Sequence, residues 1–341
     1  MCMGKIVKLF ITTVTLTIMV SLCAGCNTSS TEKKTVYKIG VTLYDPYDVF
    51  LGELMDEFRA DVALDPASVK LEVVSASGSQ RTQNKQVEDL IADGCDVICV
   101  NLVDRTAPSK IIDLAKEADV PIIFFNRELV EEDLYRWEKL YYVGADAEQS
   151  GEMEGEIAAE YITGHPEADT NGDGLIQYYI LEGEAGHQDA VVRTEQCVSA
   201  MNEAGMSLEK KGYAIANWKL SEARTKITQY INENGNDLEL ILANNDAMAL
   251  GAIEAYTDLG LEMPVIVGID GTNDGLTAVK ERQMAGTVYN DKKGQADAMY
   301  QLASALATGG SLNDLELTDG KYYRTPYEKI TLDNVKEYME E

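Results

Sequence analysis

The sequence predicts an α/β fold with two doubly wound parallel sheets, each forming the centre of one lobe. Apolar strand-like segments alternate with amphipathic helical segments along nearly the whole chain after residue 36. Strands that are apolar throughout, separated by helices, are typical of parallel sheets covered on both faces. The chain has 341 residues, which suits two domains of about 150 residues each. Roughly ten strands in one sheet would be unusual, so we expect two sheets of about five or six strands.

The predicted strands share a continuous apolar run. They are residues 37–44, 70–75, 95–101, 121–126, 141–146, 176–183, 208–216, 238–245, 265–271 and 285–290. Helical patterns lie between most of them, such as 84–92, with Val87, Leu90 and Ile91 on one side. In folds of this class a ligand binds beyond the carboxyl ends of the strands. Functional residues should therefore follow strands directly.

The first residues are predicted to be an export signal and not part of the fold. Lys5 and Lys8 precede an apolar stretch, 9–22, that is diluted by threonines. This stretch is too short and too polar for a comfortable membrane span and has the layout of a secretory signal. The rest of the chain contains no comparable apolar run, so we expect a soluble protein outside the cell.

The end of this signal resembles the bacterial lipoprotein processing box. The sequence Leu22-Cys23-Ala24-Gly25-Cys26 places small residues directly before a cysteine, although Cys23 stands where leucine is usual. We expect a signal peptide at 1–25, a lipid on Cys26 and a flexible, lipid-anchored tether at 26–35. The protein would then be anchored to the outer face of the cell membrane. An ordinary cleaved signal is the alternative.

Charge and cysteine content exclude several classes of protein. The formal net charge is −29, so the surface repels nucleic-acid phosphates and anionic lipid. The same charge is equally compatible with a plain solvated surface.

Of the six cysteines, Cys95, Cys99 and Cys197 remain in the predicted domains. An odd number at unrelated positions is not a disulfide framework, and we expect these three to be small buried side chains.

Polar and aromatic side chains follow most of the predicted strands. Singly, each has an ordinary explanation, because Asp and Asn often cap helices and a lone Trp is usually part of a core. Together they form the mixture that a sugar requires: carboxylates and amides pair with hydroxyls, and aromatic rings pack on C–H faces. The set comprises Asp48, Phe50, Asn101, His187, Asp189, Arg193, Trp218, Asn245, Asp270 and Asn290.

A second group of oxygen-bearing side chains lies at 169–177. Asp169, Asn171, Asp173 and Gln177 occupy positions 1, 3, 5 and 9 of an EF-hand loop, with Gly174 at position 6. Leu175 would contribute only its backbone carbonyl. Position 12, normally a bidentate glutamate, is Ile180, inside a predicted strand. A true EF-hand therefore fails here, and either calcium binds weakly or a remote carboxylate completes the site. A turn rich in Asp, Asn and Gly is the alternative.

The two groups in this order resemble the D-galactose- and D-glucose-binding branch of the type I periplasmic binding family. The most specific segments are Asn101-Leu-Val-Asp, Phe124-Phe-Asn, Tyr141-Tyr-Val-Gly, Gly186-His-Gln-Asp, Ala243-Asn-Asn-Asp-Ala-Met and Ala285-Gly-Thr-Val-Tyr-Asn-Asp. The resemblance implies that Phe50 and Trp218 sandwich a sugar ring, and that the polar residues of the set bind its hydroxyls. It also implies a structural calcium ion (Ca2+) completed by Glu239. Gln188 and the segment 45–47 depart from the family pattern.

The resemblance further implies two lobes joined by a three-strand hinge. The first lobe would comprise 36–125 and 291–321, and the second 126–290 and 322–341. The implied function is hinge closure on D-galactose or D-glucose and delivery to the membrane permease of an ABC importer, with the binding protein a monomer.

The sequence leaves alternatives to the importer function. A sensor component that presents sugar to a chemoreceptor or a histidine kinase is the main alternative. A glycosidase with Asp48 or Asp189 as its acid or base is a second, but the sequence offers no activated nucleophile arrangement. We therefore expect a protein that is not an enzyme. A sugar-responsive repressor would need a DNA-binding head where this chain has an export signal.

Overall fold

Two six-stranded sheets organise the computed structural model, which describes residues 36–339. The first sheet has the spatial order β11-β5-β4-β3-β1-β2, and all of its strands are parallel. Its strands are β1 (Tyr37–Leu43), β2 (Val69–Ser75), β3 (Val97–Val100), β4 (Ile122–Phe125), β5 (Leu140–Ala145) and β11 (Tyr322–Thr325). The predicted signal peptide (1–25) and tether (26–35) lie outside the described residues.

The second sheet has the order β12-β10-β9-β8-β6-β7. It is parallel except for its edge strand β12, which pairs antiparallel with β10. Its strands are β6 (Ile176–Glu182), β7 (Leu208–Ile215), β8 (Leu240–Ala243), β9 (Val265–Asp270), β10 (Gly286–Asn290) and β12 (Tyr327–Thr331). The predicted fold class, two parallel α/β lobes, is confirmed.

Helices cover both faces of each sheet. They are α1 (Val49–Ala63), α2 (Gln80–Ala92), α3 (Ser109–Ala118), α4 (Glu131–Leu134), α5 (Ala147–Gly164), α6 (Gln188–Glu203), α7 (Leu220–Asn234), α8 (Asp246–Leu259), α9 (Asn273–Lys280) and α10 (Lys292–Thr308). Short 3-10 turns lie at Pro166–Ala168 and Val335–Glu337. No helix within 36–339 has the length and apolar character needed to cross a membrane.

Four apolar clusters, one on each face of each sheet, form the cores of the lobes. Every residue of β3, β4 and β8 is buried, which explains why these strands are apolar throughout. Cys95, Cys99 and Cys197 are buried free thiols, as expected, and burial raises the pKa of Cys95 to about 11. The cysteines therefore act as small core side chains.

All ten predicted strands are present, but the sequence did not predict β11 and β12. Both are edge strands with exposed charged residues, such as Arg324 in β11 and Glu328 in β12. An edge strand is buried less than a central strand, so its sequence lacks the apolar run on which the prediction relied.

The predicted lobe boundaries need correction at two places. β5 pairs with β4 and β11, so 126–145 belongs to the first lobe and not to the second. β11 is likewise in the first sheet, so 322–325 also belongs to the first lobe. The resemblance implies a lobe boundary at 125/126, whereas Tyr142 and Val143 pack in the first-lobe core. The chain crosses between lobes near residues 146, 291 and 326, and each crossing directly follows β5, β10 or β11.

Candidate functional site

A small cleft lies between the carboxyl ends of the two sheets. The space within it that the centres of water molecules can reach is about 30 Å³. Eight of the ten residues in the predicted set line it: Asp48, Phe50, His187, Asp189, Arg193, Trp218, Asn245 and Asp270. Tyr44, Asn126 and Arg127 complete the lining. The structure thus brings together residues that are more than 200 positions apart in the sequence.

Three of the cleft residues also cap helices. Asp48 accepts a hydrogen bond from Leu51 N at 2.9 Å and begins α1. His187 begins α6, and Asn245 accepts from Met248 N at 3.0 Å at the start of α8. Capping requires a polar side chain exactly where a strand has ended and a helix begins. Helix capping therefore explains the positions of these residues, and their contact with a ligand stays a prediction.

Arg193 is the most firmly held side chain of the cleft. Its guanidinium donates to Asn244 O at 2.7 Å, to the Tyr327 hydroxyl at 3.0 Å and to Ser150 Oγ at 3.1 Å. These partners lie at the end of β8, in β12 and in α5, which packs against α6. Since Arg193 is only 4 % exposed, its charge is fixed in place before any ligand arrives.

Asp270 faces Arg193, and both its burial and its backbone conformation lower the stability of the fold. Its carboxylate lies 3.5 Å from Arg193 Nη1, and the Asn290 side chain close to it favours the charged form. Burial raises the pKa of Asp270 well above its usual range, although the Arg193 charge opposes this effect. Its φ of 117° is in a region that favours glycine. A buried, strained carboxylate destabilises the fold unless a ligand uses it.

The aromatic side chains occupy both lobes. Phe50, from the first turn of α1, is buried at the cleft, and Trp218 lines the same cleft from the second lobe. The Trp218 ring contacts His187 edge-on, with ring centroids 5.3 Å apart. Gly183 makes room for Trp218, because a Cβ there would lie 2.2 Å from the indole ring. This pair is suited to the two apolar faces of a sugar ring.

His187 is a neutral side chain in this setting. Burial lowers the pKa of His187 to about 4, although the nearby Asp189 opposes the shift. Its Nδ1 accepts from Asp189 N at 3.2 Å, which leaves the proton on Nε2. His187 can therefore donate one hydrogen bond to a ligand hydroxyl at neutral pH.

The predicted residues Asn101 and Asn290 lie one layer behind the cleft wall. Asn101 donates to Asn126 Oδ1 at 3.0 Å and to Phe125 O at 3.1 Å. Asn290 lies beside Asp270 and accepts from Gln295 Nε2 at 2.6 Å. In this arrangement both orient cleft residues, and their direct contact with a ligand stays a prediction.

Sequence reasoning missed Tyr44, Asn126 and Arg127. Arg127 lies over the Tyr44 ring, 3.4 Å from its centroid, and donates to Glu184 Oε2 of the other lobe at 2.6 Å. The Tyr44 hydroxyl donates to Asp48 Oδ2 at 2.7 Å. Asn126 and Arg127 directly follow β4, so the strand-end rule could have found them. No pattern in the sequence indicates that Arg127 contacts Glu184, which is 57 positions away.

The 169–177 loop is a separate group of acidic and amide side chains in the second lobe. Asp169 accepts from the backbone N–H groups of Gly172 and Gly174 at 2.7 and 2.9 Å. Asn171 donates to Gln177 Oε1 at 2.9 Å, and Gln177 donates to Asp173 Oδ2 at 3.0 Å. The loop therefore satisfies most of its polar groups internally.

Glu239, directly before β8, accepts hydrogen bonds from this loop. Its Oε1 accepts from Thr170 N at 2.6 Å and Thr170 Oγ1 at 2.9 Å, and its Oε2 accepts from Gln177 N at 3.2 Å. Glu239 is buried. Among residues 36–339, no three His, Cys, Asp or Glu side chains are clustered closely enough to hold a metal ion as they stand. The side-chain and carbonyl groups that could bind an ion here all present oxygen atoms, which are the ligands that calcium prefers.

Comparison with known proteins agrees with the geometry. Residues 39–311 match the model of the periplasmic binding protein domain. The chain is 34% identical over 306 residues to the D-galactose/methyl-galactoside binding periplasmic protein MglB of Haemophilus influenzae, covering 89% of this chain and 92% of that one. It is 29% identical over 314 residues to a xylitol-binding protein of Mycolicibacterium smegmatis, covering 92% and 81% respectively.

Solved structures agree on the fold. A Bacillus halodurans ABC transporter solute binding protein with bound myo-inositol matches with a TM-score of 0.76 and 30% identity, covering 90% of this chain and 98% of that one. A periplasmic solute binding protein from Actinobacillus succinogenes with bound D-allose also has a TM-score of 0.76, at 22% identity over 89% of this chain and 100% of that one. The chain therefore belongs to the periplasmic binding protein family, and it is a solute-binding protein and not an enzyme.

Proposed function

We propose that this protein is the sugar-binding component of an ABC importer and that it holds D-galactose or D-glucose between its lobes. The observation that carries the proposal is the composition of the cleft: Phe50 and Trp218 on opposite lobes, with Asp48, Asp189 and Asp270 around them. Hydroxyl groups both donate and accept, and they pair well with buried carboxylates and one fixed arginine. The identity with the galactoside-binding relative supports a hexose.

Binding would proceed by opening and closing of the lobes. The lobes are in contact across the cleft, so its walls must separate before a sugar enters. Away from the hinge, two hydrogen bonds between described residues join the lobes: Arg127 with Glu184 at 2.6 Å, and the Asn273 N–H with Glu53 Oε1 at 3.0 Å. Closure removes water from the carboxylates, so a sugar that lacks a matching hydroxyl leaves a buried charge unpaired. The closed form would then be the form delivered to the permease.

We also propose that the 169–177 loop and Glu239 hold a calcium ion with a structural role. Support comes from the donor set: carboxylates of Asp169, Asp173 and Glu239, the amides of Asn171 and Gln177, and the Leu175 carbonyl. Loading would require these oxygens to exchange their present hydrogen bonds for the ion. A calcium ion would then reinforce the link between the loop and the Glu239 segment, which the hydrogen bonds already make.

Export and anchoring complete the proposal. The family is exported, and Cys26 would carry the lipid that keeps this protein at the outer face of the membrane. Replacing Cys26 with alanine should release the protein into the medium or leave it unprocessed. If the variant stays with the membranes exactly as the parent does, the lipid anchor is wrong.

The sugar itself is tested by calorimetry with a panel of monosaccharides. The sample is the chain from residue 27, dialysed from denaturant and refolded so that no bound sugar is carried over. D-galactose and D-glucose should bind more tightly than D-ribose, xylitol and myo-inositol. Trp218→Ala should weaken both hexoses without changing which one is preferred, since a ring face carries no epimer information. Tighter binding of myo-inositol or xylitol would overturn the assignment.

A further inference from the structure

A second and larger pocket adjoins the mouth of the cleft. It encloses about 470 Å³ and is shared by both lobes, with Tyr44, Tyr47 and Asp48 on one side and Trp218, Leu250 and Asp274 on the other. Tyr44, Asp48 and Trp218 line the cleft as well, so the two spaces have a common wall. We call it the mouth pocket. The lobes are already in contact across the cleft, yet this space stays open.

The first-lobe wall includes Asp45 and Tyr47. Asp45 Oδ1 accepts from Tyr47 N at 2.9 Å, which fixes a tight turn. Tyr47 is 87% exposed, the highest value among the large apolar side chains described. The fold therefore gains nothing from burying this ring, and an aromatic ring beside a sugar cleft is suited to the C–H face of a sugar.

The second-lobe wall is held in an unusual backbone conformation. Asn217 and Trp218 are consecutive residues with φ of 51° and 65°. Asn217 is further fixed by a hydrogen bond from its Nδ2 to Glu222 Oε2 at 2.7 Å. Such strain persists only where the surroundings enforce it, and it concentrates at ligand sites. This conformation aligns Trp218 with the cleft and Asn217 with the mouth pocket.

The chemistry of the pocket matches that of the cleft. An exposed tyrosine and the Leu220 and Leu250 side chains supply apolar surface, while Asp45, Asn217 and Asp274 supply oxygens for hydroxyl groups. We propose that the mouth pocket is a second subsite that takes the next glycosyl unit of a disaccharide whose first unit lies in the cleft. This inference rests on the proposed function, since it extends the same ligand.

The test is calorimetry with D-galactose, D-glucose, lactose, melibiose, maltose and cellobiose. At least one disaccharide should bind about ten-fold more tightly than the better monosaccharide. Tyr47→Ala should reduce that disaccharide to the monosaccharide level and change monosaccharide affinity less than about two-fold. Tyr213→Ala, at another exposed tyrosine on the β7 edge, is the matched control and should change neither.

The outcomes separate the two proposals. If a monosaccharide binds and no disaccharide binds more tightly, the subsite is wrong and the proposed function stands. If a disaccharide gains affinity and Tyr47→Ala leaves that gain intact, the subsite is also wrong. If none of the six sugars binds, the proposed function fails and the subsite fails with it.

Discussion

The cleft and the 169–177 loop are both rich in acidic and amide side chains, but these side chains have different partners. In the loop, Asp169, Asn171 and Gln177 hydrogen-bond to residues within a few positions of themselves. In the cleft, Arg193 and Asp270 are held by partners on other strands and helices. Asp270 is buried at a strained φ with a raised pKa. The loop is thus organised largely by its own segment, with Glu209 and Glu239 as distant partners, whereas the cleft is organised by the whole fold.

This difference shows where the protein gives up stability for binding. A loop that satisfies its own polar groups costs the fold little. A cleft that buries charged groups without enough hydrogen-bond partners destabilises the fold until a ligand supplies those partners. Substitutions in the cleft should therefore change affinity more than stability, and substitutions in the loop the reverse.

The largest expected effect is on affinity, at Asp270. Asp270→Asn keeps the shape and tolerates a positive φ, but it removes the charged acceptor. Hexose affinity should fall by about 2 kcal/mol, or roughly thirty-fold, in calorimetry. Asp314→Ala, on the exposed surface, is the control. Unchanged affinity in the Asp270 variant would remove the cleft from consideration as the sugar site.

The loop should show the opposite pattern. Glu239→Gln places an NH2 group against the loop N–H donors that the carboxylate now satisfies. The unfolding free energy should fall by about 1–3 kcal/mol, with hexose affinity at saturating calcium nearly unchanged. Chelator should lower the melting temperature of the parent, calcium should restore it, and magnesium should compete poorly. A melting temperature that ignores both chelator and calcium would mean that the loop is only a turn.

Glu154, which lies behind the cleft in α5, is a stronger case of a buried acidic group that destabilises the fold. It is fully buried, and neither of its carboxylate oxygens has a hydrogen-bond partner among the described residues. Burial raises the pKa of Glu154 well above 4.5, and outweighs the opposing effects of the Arg193 charge, the Cys197 thiol and the Ala243 backbone. The neutral form is therefore the one that the folded protein prefers.

The sign of the pH dependence follows from this shift. When folding raises the pKa of a carboxyl, that carboxyl stabilises the folded state at pH values below its pKa in the unfolded chain. The stabilisation is lost as the pH rises through the pKa of the folded state. Glu154→Gln should therefore be more stable than the parent by about 1–3 kcal/mol at neutral pH, with the gap closing near pH 4.5. Urea unfolding from pH 4.5 to 8 measures the gap. Glu152→Gln, at an exposed position on the same helix, should have the same unfolding free energy as the parent at every pH. A difference between Glu154→Gln and the parent that does not change with pH would contradict the explanation.

The smallest expected effect is at the contact between the lobes. Glu184→Gln weakens the ion pair with Arg127 across the cleft, but the Glu184 side chain is 44% exposed. Hexose affinity should fall by only about 0.2–1 kcal/mol, mostly through faster dissociation, and less so at high salt. Asp119→Asn, which breaks the Lys139 pair within the first lobe, should leave affinity unchanged. Equal effects from both variants would show that the Arg127 contact has no special role in closure.

The sequence by itself determined the features that short segments can encode. The central strands are apolar because both faces of a parallel sheet are buried, so their continuous apolar runs located all of them. The loop oxygens stand at fixed spacing within 169–177 and could be read directly. Asp48, His187 and Asn245 were visible because a helix that follows a strand needs a cap at that position.

Only the tertiary structure decided how distant segments combine. Arg193 meets Tyr327 134 positions away, and Arg127 meets Glu184 57 positions away. The lobe to which β5 belongs depends on its pairing with β4 and β11, and a strand sequence does not specify its neighbours. The left-handed backbone at Asn126, Trp218 and Asp270 is likewise enforced from outside each residue. Contacts across the fold have no local period, so these features could not be predicted from any segment alone.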